Sequence, residues 1–350
     1  MSSETENTVS ILIPTFRRPE RLKRAIQSAR AQSYPDIIIR IFDNASGDET
    51  SGVVSSIIAA DPRVQYCCQE KNVGMIANCN YALNSVTTKY FAFLNDDDVL
   101  LPECILHAMR GLKENPGVVF WGGGTMHVDE ASGRILRGPN RAWKKGGVYT
   151  SAEACRRICH GDNLDFQGLV FRAEWVRRHS VNFLESVMIT DVHMELQLAK
   201  HYPIGVTPSA TAIMYAHGDS ISSGVKSVST FWPALGIIAK EFSRDNPLPS
   251  SVVDRCLRAF QRFTIERLWH LANDNSCAGK YDEAFESARI LKKEFPDSAL
   301  SGIARWSISV GRKHRVLLAV SLFFRVFVRI VMNPSILLNR FFLGKEQPRY

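Results

Sequence analysis

With 350 residues, 45% of them hydrophobic and 22% charged, the chain has apolar material for a sizeable core and for more than one domain, which excludes a disordered tail. The formal net charge of +8 is concentrated at the C-terminal end, where residues 312–350 hold eight Lys or Arg and one acid, Glu346. The rest is close to neutral, unlike the basic, aromatic-interleaved face of a nucleic-acid binder, so no nucleic-acid partner is expected.

The first residues, "MSSETENTVS", are polar and acidic with no apolar stretch behind a basic start, so no secretory signal is expected and the folded part is placed in the cytosol. "TVSILIPTF" (8–16) is an apolar run closed by Pro14 and predicts a buried strand ending in a turn. In "RRPERLKRAIQSARAQS" (17–33), Leu22, Ala25, Ile26 and Ala29 recur at helical spacing until "YPD" breaks the pattern. "IIIRIF" (37–42) is a second strand, stopped by the turn formers of "DNASGDET", and "SGVVSSIIAA" (51–60) is a helix. "VQYCCQ" (64–69) reads as a third strand, "NYALNSV" (80–86) as part of a helix and "YFAFLN" (90–95) as a fourth strand.

Strands alternating with helices predict an α/β fold: a Rossmann-like, mainly parallel sheet flanked by helices, with ligands at the carboxyl ends of the strands. Thr15, Asp43 and the run Asp96–Asp98 stand at those ends. No G-x-G-x-x-G follows the first strand and no G-x-x-x-x-G-K-[ST] occurs, so dinucleotide and P-loop readings lose their main support.

Beyond residue 111 the alternation loosens. "GVVFWGGGTMHV" (117–128) reads as a strand running into a glycine-rich bend, and "GPNRAWKKGGVY" (138–149) as a mobile basic loop. Cys155, Cys159 and His160 could share a helical face as metal ligands, but without a second ligand cluster ordinary packing is the better reading; eight cysteines of irregular spacing argue for reduced thiols. "LDFQGLVFRAEWVRR" (164–178), "LESVMITDVHMELQLAKH" (184–201) and "TAIMYAHGDSIS" (211–222) complete the second half of the same domain. After residue 226 the pattern is helical. There "LWHLANDNSCAGKYDEAFESARILKKEFPDS" (268–298) resembles one tetratricopeptide-type hairpin, and because a single copy cannot stack, a local helix pair packed on the main domain is expected. In "RVLLAVSLFFRVFVRIVMNPSILLNRFF" (315–342), Ser321, Arg325 and Arg329 share one helical face amid apolar residues. That pattern suits an amphipathic helix lying on a membrane surface rather than crossing it.

The stretch "FAFLNDDDVLLP" (91–102) carries the chemistry. Three adjacent carboxylates between apolar segments repel one another and call for a cation; hard oxygen ligands at a strand end suit Mg²⁺ or Mn²⁺ bridged to phosphates. A helix N-cap would account for one Asp, not three.

The stretches "ILIPTFRRPERLKRAIQSARAQSYP", "IRIFDNASGDET", the N-x-G-x5-N pattern from Asn72 to Asn80 and "FLNDDDVLLP" together make residues 8–110 resemble a family 2 glycosyltransferase with the GT-A fold. The resemblance implies transfer of a sugar from a nucleotide diphospho-sugar (UDP-, GDP- or dTDP-linked), with inversion, using Mn²⁺ or Mg²⁺. By the same resemblance Pro14 and Thr15 would frame the nucleotide, Asp43 would bond the base, and Asn72 and Gly74 would line its pocket. Asp96 would lie near the ribose, and Asp97 would bind the metal. Asp98 would be a further metal ligand, a supporting acid or a helix cap. "MITDVHMELQLA" implies Asp191 as the base that deprotonates the acceptor hydroxyl, although Thr190 stands where an acid often precedes it. "HGDSIS" implies a metal or phosphate contact for His217, although Tyr215 replaces the usual Arg. Gln167, Arg172 and Trp175 are candidates for the acceptor pocket.

The expected layout is a flexible 1–7, a GT-A domain over 8–225 (nucleotide-sugar half 8–110, acceptor half 111–225), a helical region 226–311 and a basic membrane-associating tail 312–350. The enzyme would sit peripherally on the inner face of the cytoplasmic membrane and act on a glycan or lipid-linked acceptor in envelope polysaccharide synthesis. A nucleotidyltransferase and a non-catalytic nucleotide-sugar-binding scaffold are the alternatives.

Overall fold

The structure, a computed structural model, describes residues 6–139, 143, 145–162, 164–185, 189–218, 228–277 and 280–298. Of these, residues up to 218 together with 229–263 form one compact unit, and Val228 with 264–298 a second.

The first unit is built on a ten-stranded sheet of order β3-β2-β1-β4-β9-β6-β10-β5, with β7 on β6 and β8 on β10. Its first half follows the chain: β1 (Val9–Thr15), α1 (Pro19–Arg30), β2 (Ile37–Asp43), α2 (Thr50–Ile58), β3 (Val64–Cys68), α3 (Met75–Asn84) and β4 (Tyr90–Phe93). β1 pairs in parallel with β2 and β4, and β2 with β3. Helix α1 starts where Pro19 presets the first turn, and it buries Leu22, Ala25, Ile26 and Ala29, one stripe of a 3.6-residue repeat. A fully buried Leu or Ile contributes about 1.5–3 kcal/mol, so this face holds the helix on the sheet.

The second half adds β5 (Val99–Leu100), α4 (Cys104–Glu114), β6 (Phe120–Asp129), β7 (Ile135–Arg137), β8 (Gly147–Tyr149), α5 (Ser151–Cys159), β9 (Val170–Arg172), α6 (Ala173–Arg178), α7 (Thr190–Ala199) and β10 (Ile204–Ala216). β10 runs parallel to β6, while β9 is antiparallel to both β4 and β6 and joins the two halves. The long parallel strands therefore deliver their carboxyl ends to one edge: Thr15, Asp43, residues 95–98, and 215–217. β9 runs the other way, so the residues before it reach that same edge.

Two expectations change here. The glycine run of residues 122–124 is not a bend but lies inside the ten-residue strand β6. A Cβ on Gly122 would stand 2.1 Å from Leu169 Cδ2 and one on Gly123 2.4 Å from Thr211 Cγ2, so glycine is required by the close approach of β9 and β10. The basic segment is partly built into the fold: Gly147–Tyr149 pairs with β10, and Trp143 is buried, donates from Nε1 to Asp162 O at 2.6 Å and meets Tyr149 edge-on. Residues 140–142 and 144 of it lie outside the described residues.

α8 (Val228–Ser243), α9 (Ser250–Cys277) and α10 (Tyr281–Glu294) follow. The first arm of the expected hairpin is the end of a 28-residue helix, α9. Cys155 and Cys159 are buried in α5, and they, Cys67, Cys68, Cys79, Cys104 and Cys256 are free thiols. Among the described residues no helix is long and apolar enough to cross a membrane. The expected membrane-associating tail, 312–350, lies outside them, as do the serines of "HGDSIS".

Candidate functional site

A cavity of about 550 Å³ opens at the carboxyl edge of the sheet in the first unit. Pro14, Thr15, Asn72, Gly74, Asp96, Asp97, Asp98 and Asp191 all line it, so one site gathers most of the residues singled out in the sequence. Its apolar floor includes Phe93, Phe166 and Phe183, packed together with centroids 5.1–5.6 Å apart.

The three acids have unequal settings. Asp96 accepts from Thr15 Oγ1 at 2.8 Å and from Arg18 Nη1 at 3.2 Å. The Oδ2 atom of Asp97 meets both Arg18 Nη1 at 2.9 Å and His217 Nε2 at 3.0 Å. Asp98 accepts the Tyr215 backbone N–H on Oδ1 at 3.0 Å and faces Asn95 Nδ2 at 3.4 Å. It is not a helix cap: Val99–Leu100 forms β5 against β10, and α4 begins only at Cys104 behind Glu103. Burial, and then the charge of Asp97, raise the pKa of Asp96 and raise that of Asp98 well above the ordinary value. Arg24 ties the loop to its surroundings, donating to Asp97 O and to Glu130 at 2.8 Å each, with its guanidinium 4.0 Å from the Tyr215 ring centroid.

On the adjoining wall Gly74 takes φ +90, open to a residue without a side chain, immediately before α3. Asn72 Oδ1 accepts both the Gly74 N–H and Asn44 Nδ2 at 2.9 Å. Asp43 is placed differently from the others. It is 1% exposed and does not line the cavity; Oδ1 accepts from Ser46 N and Oγ, and Oδ2 from Tyr66 Oη at 2.5 Å. Its neighbour Asn44 is the residue on the cavity wall.

Across the cavity Asp191 stands in the first turn of α7, where backbone N–H groups of Asp191 and Val192 bond its carboxylate. Burial outweighs those bonds and, with the charge of Asp165, raises its pKa above the ordinary value. Asp165 lines the same wall and is paired with His127 Nε2 and Arg137 Nη2, each at 3.3 Å. Gln167 also lines the cavity and accepts the Asn95 N–H at 3.2 Å. Arg172 and Trp175 do not belong to it. Arg172 is buried behind β9, donating to Leu112 O at 2.6 Å, Val118 O at 2.8 Å and Tyr90 Oη at 3.1 Å, and Trp175 stacks on Tyr202.

No group of three or more His, Cys, Asp or Glu among the described residues is arranged to hold a metal alone, Cys155, Cys159 and His160 included. The acid cluster nonetheless fits Mn²⁺ or Mg²⁺, which take one or two carboxylates and complete their shell with phosphate and water. Its buried, mutually repelling carboxylates favour a cation, and His217, whose Nε2 meets Asp97, has a buried Nδ1 with no hydrogen-bond partner among the described residues.

Arg18, Arg24, Asn44 and Asp165 escaped the sequence reading. Arg18 was available in "RRPERL", where it passes for the lead-in to a helix, and Asp165 is the acid just before a buried strand.

Residues 10–160 match the model of glycosyl transferase family 2. A Campylobacter jejuni GalNAc(5)-diNAcBac-PP-undecaprenol beta-1,3-glucosyltransferase is 33% identical over 113 residues, 32% of this chain and 37% of that one, so the chain spans less than half of that relative. TarS 1-349 of S. aureus in complex with UDP-GlcNAc superposes with a TM-score of 0.66 at 18% identity, covering 87% of each chain. The mannosyltransferase PcManGT from Pyrobaculum calidifontis, in complex with GDP-Man and Mn²⁺, gives 0.57 at 13% identity over 93% of this chain and 87% of its own. With the parallel sheet, the acid cluster at its carboxyl edge and these matches together, the chain carries a GT-A fold and, over residues 10–160, matches glycosyl transferase family 2.

Proposed function

We propose that this chain is a metal-dependent, inverting glycosyltransferase that moves a sugar from a UDP-, GDP- or dTDP-linked donor to a hydroxyl of a glycan or lipid-linked acceptor in envelope polysaccharide synthesis. The observation that carries this reading is one cavity lined both by the three-acid cluster and by Asp191. The named relatives support the donor and acceptor classes, one acting on a lipid-linked glycan and two holding a nucleotide-sugar.

In this reading Pro14, Thr15, Asn72 and Gly74 hold the nucleotide, and Asp43 acts on the base through the loop it fixes with Ser46 and Tyr66. Asp96 receives the ribose. Asp97, with Asp98 and His217, would hold the Mn²⁺ or Mg²⁺ ion, which when bound neutralises the diphosphate leaving group. Asp191 takes the proton of the acceptor hydroxyl. Its raised pKa makes it a stronger base than an ordinary carboxylate. The phenylalanine floor excludes water from the transferring carbon. We further assign residues 8–225 to the GT-A domain, 226–311 to a helical region and 312–350 to a basic tail that attaches the enzyme peripherally to the inner face of the cytoplasmic membrane.

The test is to incubate the purified chain with Mn²⁺ and a panel of UDP-, GDP- and dTDP-sugars and measure release of nucleoside diphosphate. Such release is expected. Release of pyrophosphate would point to nucleotidyl transfer, and tight nucleotide binding without turnover to a non-catalytic binder. A chain ending near residue 311 should leave the membrane pellet; its retention there would remove the role of the tail.

A further inference from the structure

Arg18 stands just ahead of Pro19 at the start of α1, and one nitrogen, Nη1, spans two acids, 3.2 Å from Asp96 Oδ1 and 2.9 Å from Asp97 Oδ2. Its side chain is 22% exposed and lines the cavity, whereas those of Asp96 and Asp97 are 8% and 12% exposed. Arg18 therefore approaches a nearly buried pair of carboxylates from the open side. The oxygen that it contacts on Asp97 is also the one that meets His217. A divalent ion binds carboxylate oxygen at about 2.1 Å, inside the reach of a hydrogen-bonded guanidinium, so ion and guanidinium compete for that atom.

The geometry points to an exchange, and it rests on the functional reading above: we propose that Arg18 is the counter-ion of the acid cluster until a divalent ion displaces it, and that the displaced guanidinium then binds the donor's diphosphate. A guanidinium suits both partners, since its planar fork matches carboxylate and phosphate alike and it stays charged at any working pH. One residue thereby has opposite effects on the two ligands: it weakens metal binding to the empty site and strengthens diphosphate binding to the loaded one.

The test uses the full chain and Arg18→Gln, which removes the charge and keeps most of the length. Mn²⁺ affinity without nucleotide is read from the electron paramagnetic resonance signal of free Mn²⁺, and UDP, GDP and dTDP affinities at saturating Mn²⁺ by calorimetry. Arg18→Gln is expected to tighten Mn²⁺ binding about tenfold and to weaken binding of the preferred diphosphate about tenfold. Arg18→Lys, which keeps the charge but not the fork, should shift both constants in the same directions by less, and it serves if the Gln variant does not fold. Mn²⁺ affinity that falls or stays unchanged in the folded variant would show that Arg18 only organises the acids, and the exchange would be wrong. Unchanged diphosphate affinity would overturn it equally. If the unaltered chain binds neither Mn²⁺ nor any of the diphosphates, the functional reading falls and takes this inference with it.

Discussion

Asp96–Asp98 and Asp191 face one cavity with the same side chain in opposite company. The three-acid cluster is surrounded by partners: Thr15 and Arg18 on Asp96, Arg18 and His217 on Asp97, and the Tyr215 N–H on Asp98. Asp191 has the backbone N–H groups of a helix start and a negative neighbour, Asp165. Repulsion within a cluster that already recruits cations suits a cation site. An acid whose charge is opposed by burial and by Asp165, with no cation paired to it among the described residues, suits proton capture. The contrast teaches that the surroundings, not the residue type, divide the labour.

The strongest way to break this comparison is Asp97→Ala, expected to abolish Mn²⁺-dependent nucleotide binding and, with it, transfer. Retention of Mn²⁺-dependent binding, measured by calorimetry, would move the ion elsewhere. Next comes Asp191→Asn, expected to leave Mn²⁺ and nucleotide affinities within about twofold and to lower the transfer rate by about 10²–10⁴, the range for loss of a general base. Equal loss of binding would place Asp191 on the donor side.

A gentler probe is pH. Because Asp191 must be ionised to accept a proton and its pKa is raised, the rate should fall as pH drops through that raised value, above the ordinary carboxylate range. An acidic limb at the ordinary value would contradict the burial argument.

The smallest effect concerns Glu195, which is fully buried on α7, accepts the Leu164 N–H on Oε2 and has no partner on Oε1 among the described residues. Burial, Asp191 and Asp165 raise its pKa well above the ordinary value, so the folded state holds the proton more tightly than the unfolded one. Stability then declines as pH rises from the ordinary glutamate range through the folded value. Glu195→Gln should raise the melting temperature by about 2–4 °C at pH 7.5, with the gain vanishing near pH 4. A gain that does not depend on pH would show that charge burial is not the cause.

The first half of the sheet, residues 8–110, was legible because its structure is local. Each strand from β1 to β4 is followed by a helix or turn whose spacing shows in a short window, and the polar residues at the strand ends follow from the parallel arrangement. The acceptor half depends on contacts distant in sequence. The glycine run looks like a bend until β9 and β10 are seen to press on it, and Arg172 looks like a pocket residue until three oxygens from α4, its following loop and β4 surround it. Asp43 shows the same limit on a smaller scale, since its place at the end of β2 was legible but the hydroxyls that hold both its oxygens were not.

The close succession of α7 and β10 has a mechanical consequence. Asp191 begins the helix Thr190–Ala199, and the strand Ile204–Ala216 that follows ends beside the acid cluster with Tyr215 and His217. Asp191 and the acid cluster are thus tied by one helix and one strand joined through the short turn at residues 200–203, each element a ruler whose graduations are about 1.5 Å in the helix and 3.3 Å in the strand. Loops can lengthen to admit a different acceptor, but one residue added to or taken from within α7 or β10 would throw that ruler off by a full graduation.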